Sequence, residues 1–130
     1  MDERFRVMGW LSVALLATAV LSACGGAGGG DGSGSDAADV ARGEDLYRTN
    51  CAACHGPAAE GTGQGPPLVH ELYVPSHHSD ASFVLAARNG VTAHHWDFGP
   101  MPPRPELDDD DVADVVAWVR QLQRDAGLIP

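Results

Sequence analysis

Two thiols and an imidazole within five consecutive residues, Cys51-Ala52-Ala53-Cys54-His55, limit what this 130-residue chain can be. Three chemistries use such a cysteine pair. A thioredoxin-like dithiol needs a βαβ context, and no run of convincing strand alternation is present. A structural zinc site needs a second Cys/His pair at ligand spacing, and the later histidines lack convincing ligand spacing. The Cys-x-x-Cys-His order is the attachment signal of c-type haem. Two thiols three residues apart on a helical turn reach the two vinyl groups on one porphyrin edge, and the next residue brings an imidazole under the iron. The expectation is one covalent haem c on Cys51 and Cys54, with His55 as an iron ligand.

The N-terminal segment points outside the cytoplasm. Arg4 and Arg6 precede an apolar run from Val7 to Leu21, the pattern of a secretory signal. The run is short for a membrane span, which needs about 20 apolar residues; an uncleaved anchor helix and a plain secreted form are the alternatives. Leu21-Ser22-Ala23-Cys24 resembles the lipobox of bacterial lipoproteins, in which the cysteine is lipidated and becomes the new N-terminus. That reading also accounts for the odd number of cysteines, three. Residues 1–23 are then a signal peptide, and 24–38 a lipidated Cys24 followed by a flexible tether, GGAGGGDGSGSDAA. Residues 39–130 are the folded domain. The expected location is extracytoplasmic, on the periplasmic side or the cell surface, held to the membrane through Cys24.

Charge narrows the partners. Lys+Arg total 8 against 18 Asp+Glu, for a formal net charge of −10, and every base is an arginine. Nucleic-acid binding needs a basic stripe, so it is excluded; the chain is read as a monomer.

Within 39–130 the pattern predicts a small all-α fold of about three helices with long loops. The first covers about Asp39–Asn50, with Val40, Gly43, Leu46 and Tyr47 on one face. The second covers about Asp80–Asn89, with Ser79 at its start, Gly90 at its end, and Phe83 and Ala87 facing inward. The third starts at the N-cap Asp108, with Asp109, Asp110 and Asp111 in the first turn. Its apolar stripe runs through Val112, Val115, Val116, Val119 and Gln121-Leu122. Ninety-two loop-rich residues bury little surface alone, so a cofactor is expected within the core.

Met101, the only methionine after the signal segment, lies in Gly99-Pro100-Met101-Pro102-Pro103, 46 residues after His55. A lone methionine is usually core filler; here a proline on either side would fix the thioether in place. At this point the chain resembles the small monohaem class I cytochromes c over Asp39 to Gln123. The resemblance implies helices wrapped around one haem, with His55 as proximal and Met101 as distal ligand. Gly65-Pro66 resembles the family's Gly-Pro, whose Pro66 carbonyl accepts the proximal imidazole N–H. Gly43 and Tyr47 of the first helix, and Val115 and Trp118 of the last, resemble the residues at which the family's two helices cross.

Five further histidines, His70, His77, His78, His94 and His95, depart from the common pattern. The plain reading is polar lining of the haem edge, with His94, His95 and Trp96 near a propionate. The alternatives are a second metal site, copper in particular, or a histidine replacing Met101 on the iron. Iron held by His and Met has no open position, so the leading reading is not an enzyme. It is a membrane-tethered carrier moving single electrons between redox protein partners: a quinol-oxidising complex, a terminal oxidase or a dehydrogenase. The alternative is a haem-based sensing or copper-binding module built on the histidines.

Overall fold

The computed structural model describes residues 32–130. The signal segment 1–23 and Cys24 lie outside the described residues, as does the first part of the tether. Four α-helices follow in order: α1 (Gly32–Asn50), α2 (Ala52–His55), α3 (Asp80–Asn89) and α4 (Asp109–Asp125), with a 3-10 turn at Glu71–Tyr73. Among the described residues there is no strand, only an isolated antiparallel bridge between Val91 and Met101. The fold is all-α, as expected.

The expected start of the first helix differs. Residues 32–38 continue α1 rather than the tether. Once a helix is nucleated, each added residue gains a backbone hydrogen bond, and this outweighs the weak propensity of Gly and Ser when the segment beyond is anchored by packing. The anchoring is the contact of α1 with α4. Gly43 sits so close to α4 that a Cβ there would lie 1.9 Å from the Asp114 carbonyl oxygen. That close approach lets Tyr47 and Trp118 stack with ring centroids 4.5 Å apart. Tyr47, Ala59 and Val119 are fully buried, and Leu68, Val115 and Trp118 complete this core. Arg42 on α1 pairs with both Asp111 and Asp114 on α4.

The α4 start follows from local chemistry. The Asp108 side chain accepts from the Asp111 backbone N–H at 2.8 Å, and the Asp111 side chain accepts from the Asp108 N–H at 3.2 Å, a reciprocal capping box. Ser79 occupies the α3 N-cap, but its hydroxyl meets the Ser82 hydroxyl at 3.0 Å instead of a backbone N–H. A second apolar cluster joins α3 to α4 through Ala87, Val112 and Val116, with Phe83, Val84 and Leu107 against it.

The last turns of α4 are not apolar where the stripe predicts. Leu122 packs on the core, but Gln121 faces outward and donates to Asp125 at 2.8 Å. The buried polar residues of α4 are Arg120 and Gln123. Gln123 donates to the Leu68 and Tyr73 carbonyls at 2.8 and 3.0 Å. Arg120 donates to the Tyr73 carbonyl at 2.5 Å, the Gln123 side chain at 2.7 Å, the His78 carbonyl at 2.7 Å and Asp80 at 2.9 Å. Its guanidinium also lies 5.0 Å from the Phe83 ring centroid, close enough for a cation–π contact. These two side chains fasten the irregular 68–80 segment to α4, satisfying carbonyls that no helix or sheet accommodates.

Candidate functional site

A cavity of about 470 Å³ opens between α2, α3, α4 and the loop leading to Met101. Its walls take in Cys51, His55, Pro66 and Met101 together with apolar side chains that include Leu68, Phe83 and Val115. Four of the five sequence-predicted site residues, Cys51, His55, Pro66 and Met101, therefore converge on one space. Cys54 is exposed and stands on α2 outside that lining, while Cys51 is half-buried. Burial pushes the Cys51 thiol up to about 11, partly offset by the Arg104 charge.

His55 ends α2 and is buried. Its Nδ1–H donates to the Pro66 carbonyl at 2.9 Å, which leaves the Nε2 lone pair free for a metal. Burial lowers the basicity of the ring and outweighs the opposing pull of the Pro66 carbonyl, so the neutral form is favoured. The loop that presents Pro66 is closed by three bonds. The Gly61 N–H donates to the His55 carbonyl at 2.6 Å, the Thr62 hydroxyl to the Cys54 carbonyl at 2.6 Å, and the Thr62 N–H to the Gly65 carbonyl at 2.9 Å. At the start of the loop the Tyr47 hydroxyl donates to the Gly56 carbonyl at 2.8 Å, tying the α2 end to the α1–α4 core.

Met101 is held by backbone, not by its prolines alone. Its N–H donates to the Val91 carbonyl at 2.9 Å, and the Val91 N–H donates to the Met101 carbonyl at 3.0 Å. Gly90, with φ +73°, makes the preceding turn, and a Cβ there would lie 2.7 Å from the Met101 carbonyl oxygen.

Two buried donors among the described residues have no partner, the Trp96 indole N–H and the Arg104 Nε–H. Both residues line the cavity. Unpaired buried donors facing an apolar space suit a flat ligand carrying carboxylates, and haem, with its two propionates, has that chemistry. Together with the paired thiols and the free imidazole nitrogen, the donor set fits haem c.

The later histidines separate into two groups. His70 caps the 3-10 turn, its Nδ1 accepting from the Leu72 N–H at 3.1 Å, and it stands edge-on to Trp96. His77, His78, His94 and His95 form a cluster of neighbouring rings, of which His78, His94 and His95 line the cavity. Local desolvation, then the charges of His94, His78 and His77, lower the basicity of His95.

The comparisons with known proteins agree with this site. The cytochrome c family model matches residues 40–123. The chain is 33% identical over 89 residues to cytochrome c-L of Methylorubrum extorquens, an alignment covering 67% of this chain and 42% of that protein. It is 52% identical over 42 residues to the cytochrome bc1 complex cytochrome c subunit of Corynebacterium diphtheriae, covering 32% of this chain and 14% of that protein. The chain thus spans less than half the length of either relative. No solved structure matches. The chain belongs to the cytochrome c family. It is a small class I cytochrome c, a family defined by covalently bound haem c.

Proposed function

We propose that this protein is a single-electron carrier whose iron is held by His55 and Met101, tethered outside the cytoplasm by a lipidated Cys24. The observation that carries the reading is the convergence of Cys51, His55, Pro66 and Met101 on one apolar cavity. When bound, haem c supplies a one-electron iron couple. The chain's own residues set the conditions for it. The Pro66 carbonyl orients the His55 ring and fixes its tautomer. Val91 anchors the backbone that brings Met101 to the cavity. A thioether ligand raises the reduction potential relative to two imidazoles. Held by the His55 imidazole and the Met101 thioether, haem c would serve electron transfer rather than substrate binding. Leu68, Phe83 and Val115 give the cavity apolar walls, which with haem c in place would limit solvent reorganisation when charge changes.

Cytochrome c proteins work with redox partners, and one relative is the cytochrome c subunit of a cytochrome bc1 complex. This supports a quinol-oxidising complex as donor, with a terminal oxidase or a dehydrogenase as the other partner, and an extracytoplasmic location. No helix among the described residues is long and apolar enough to cross a membrane; Cys24 provides the proposed attachment.

The test is spectroscopic. Oxidised protein shows the weak long-wavelength band of methionine-bound ferric haem, and Met101→Ala abolishes it, opens the iron to carbon monoxide and lowers the potential. An unchanged spectrum in Met101→Ala transfers the sixth-ligand role to a histidine. Cys24→Ser, exported by a cleavable signal, leaves the membrane with its haem intact; persistent tight membrane binding refutes lipid anchoring.

A further inference from the structure

His77 and His78 come from one loop, and His95 from another 17 residues further on. One ligand nitrogen from each lies within 4.8 Å of the others. Neither His77 nor His95 is buried, so nothing in the core requires them to face each other, yet their Nε2 atoms approach to 3.3 Å. Two imidazole nitrogens bound at zinc-like distances to one tetrahedral ion are about 3.3–3.4 Å apart, whereas adjacent ligands of a square-planar ion are about 2.9 Å apart.

The third ring is oriented from behind. The His78 Nδ1–H donates to the Leu72 carbonyl at 2.5 Å, leaving Nε2 to ligate, the arrangement by which metal-binding histidines are usually fixed. Its backbone is held as well: the N–H groups of His77 and His78 both donate to the Val74 carbonyl at 2.9 Å, and Arg120 donates to the His78 carbonyl at 2.7 Å. His95 lies in the 91–101 loop, whose ends are closed by the Val91–Met101 bridge. His94 packs beside the group, its Nδ1–H donating to the Thr92 carbonyl at 3.0 Å, but it places no nitrogen within the cluster.

We propose that His77, His78 and His95 form a second metal site, taking one tetrahedral, imidazole-preferring ion of the zinc(II) class, with water in the fourth position. Three protein ligands and an open fourth position make an exchangeable site. The acidic domain, with six arginines against fourteen carboxylates in residues 39–130, raises the local concentration of cations. A bound ion joins the 74–78 loop to the loop that ends at Met101, so it stabilises the fold by mass action.

The experiment uses tag-free, haem-loaded protein, in which the Cys51 and Cys54 thiols are occupied and cannot bind the probe. Zinc(II) chloride is titrated calorimetrically above the ordinary histidine pKa, and copper(II) is titrated in parallel. The expected result is one zinc per chain with micromolar or tighter affinity and an upward shift of the thermal midpoint. His77→Ala and His95→Ala, both at exposed positions, each weaken zinc at least about tenfold while leaving the helical circular dichroism intact. His70→Asn, which keeps a capping acceptor outside the cluster, leaves zinc binding unchanged. Sub-stoichiometric zinc binding overturns the site, as does affinity indifferent to His77→Ala and His95→Ala, or equal loss in His70→Asn. Copper(II) binding without zinc binding overturns the tetrahedral assignment.

Discussion

Val91 and Met101 exchange both backbone hydrogen bonds, at 3.0 and 2.9 Å, across ten residues of chain. The pairing is the only bridge among the described residues. It converts the 91–101 loop into a fixed strap whose end carries the thioether. Gly90 makes it possible, because its φ of +73° lies in the left-handed region and its bare Cα lets the Met101 carbonyl approach.

Gly90→Ala is therefore expected to cost about 1–3 kcal/mol in stability and to loosen Met101 in its proposed role as iron ligand. Denaturant unfolding measures the first effect. The second appears as faster binding of added imidazole to the oxidised protein. Wild-type imidazole kinetics in Gly90→Ala would show that the strap does not position Met101.

Gly43→Ala tests the helix crossing. A methyl group at 1.9 Å from the Asp114 carbonyl oxygen cannot be accommodated without separating α1 from α4. Overpacking of this kind costs about 1–3 kcal/mol or more. The expected outcome is a lower denaturation midpoint together with weaker near-ultraviolet signal from the Tyr47–Trp118 stack. Ala41→Gly, one turn face away at an exposed position, serves as the comparison and costs about 1 kcal/mol through helix propensity alone.

Arg120 is expected to be worth more than its ion pair. Its Asp80 partner is mostly exposed, with 69% of that side chain accessible, so that contact is screened and weak. The bonds to the Tyr73 and His78 carbonyls are the larger contribution. Arg120→Met should destabilise by about 2–4 kcal/mol and speed amide exchange at His77 and His78. Arg120→Lys should recover only part of this, because an ammonium lacks the planar fork that reaches several acceptors at once. Asp80→Asn alone should change stability little.

Tyrosine burial predicts loss of stability at alkaline pH. Burial, with the charge of Glu60, holds the Tyr47 hydroxyl well above its ordinary value of 10.0, and burial shifts Tyr73 the same way. Above pH 10 the unfolded chain releases these protons and the folded chain retains them. Stability is therefore full below about pH 10 and declines as pH rises, by up to about 1.4 kcal/mol per unit for each tyrosine. Thermal melts across this range check the slope. Tyr47→Phe should lie about 1 kcal/mol lower at neutral pH, through loss of its bond to Gly56, and show a shallower alkaline decline.

Features controlled within one helical turn were legible in the sequence. The Asp108 N-cap sets the start of α4, Gly90 ends α3, and Cys51, Cys54 and His55 share the short helical turn at Ala52–His55 and its N-cap. The resemblance carried further, to the Gly43–Tyr47 and Trp118 crossing and to the Pro66 carbonyl on His55.

What the tertiary structure decided lies between residues far apart in the chain. Arg120 and Gln123 interrupt the apolar stripe because carbonyls of residues 68–78, some 40 to 55 positions earlier, come to rest against α4 and need donors. The approach of His77 to His95 depends on where two loops end, and no spacing within either encodes it. The strap that holds Met101 depends on Val91 returning to meet it. Propensity and capping act through neighbours along the chain, whereas these contacts exist only once the helices have crossed and brought distant backbone polar groups together.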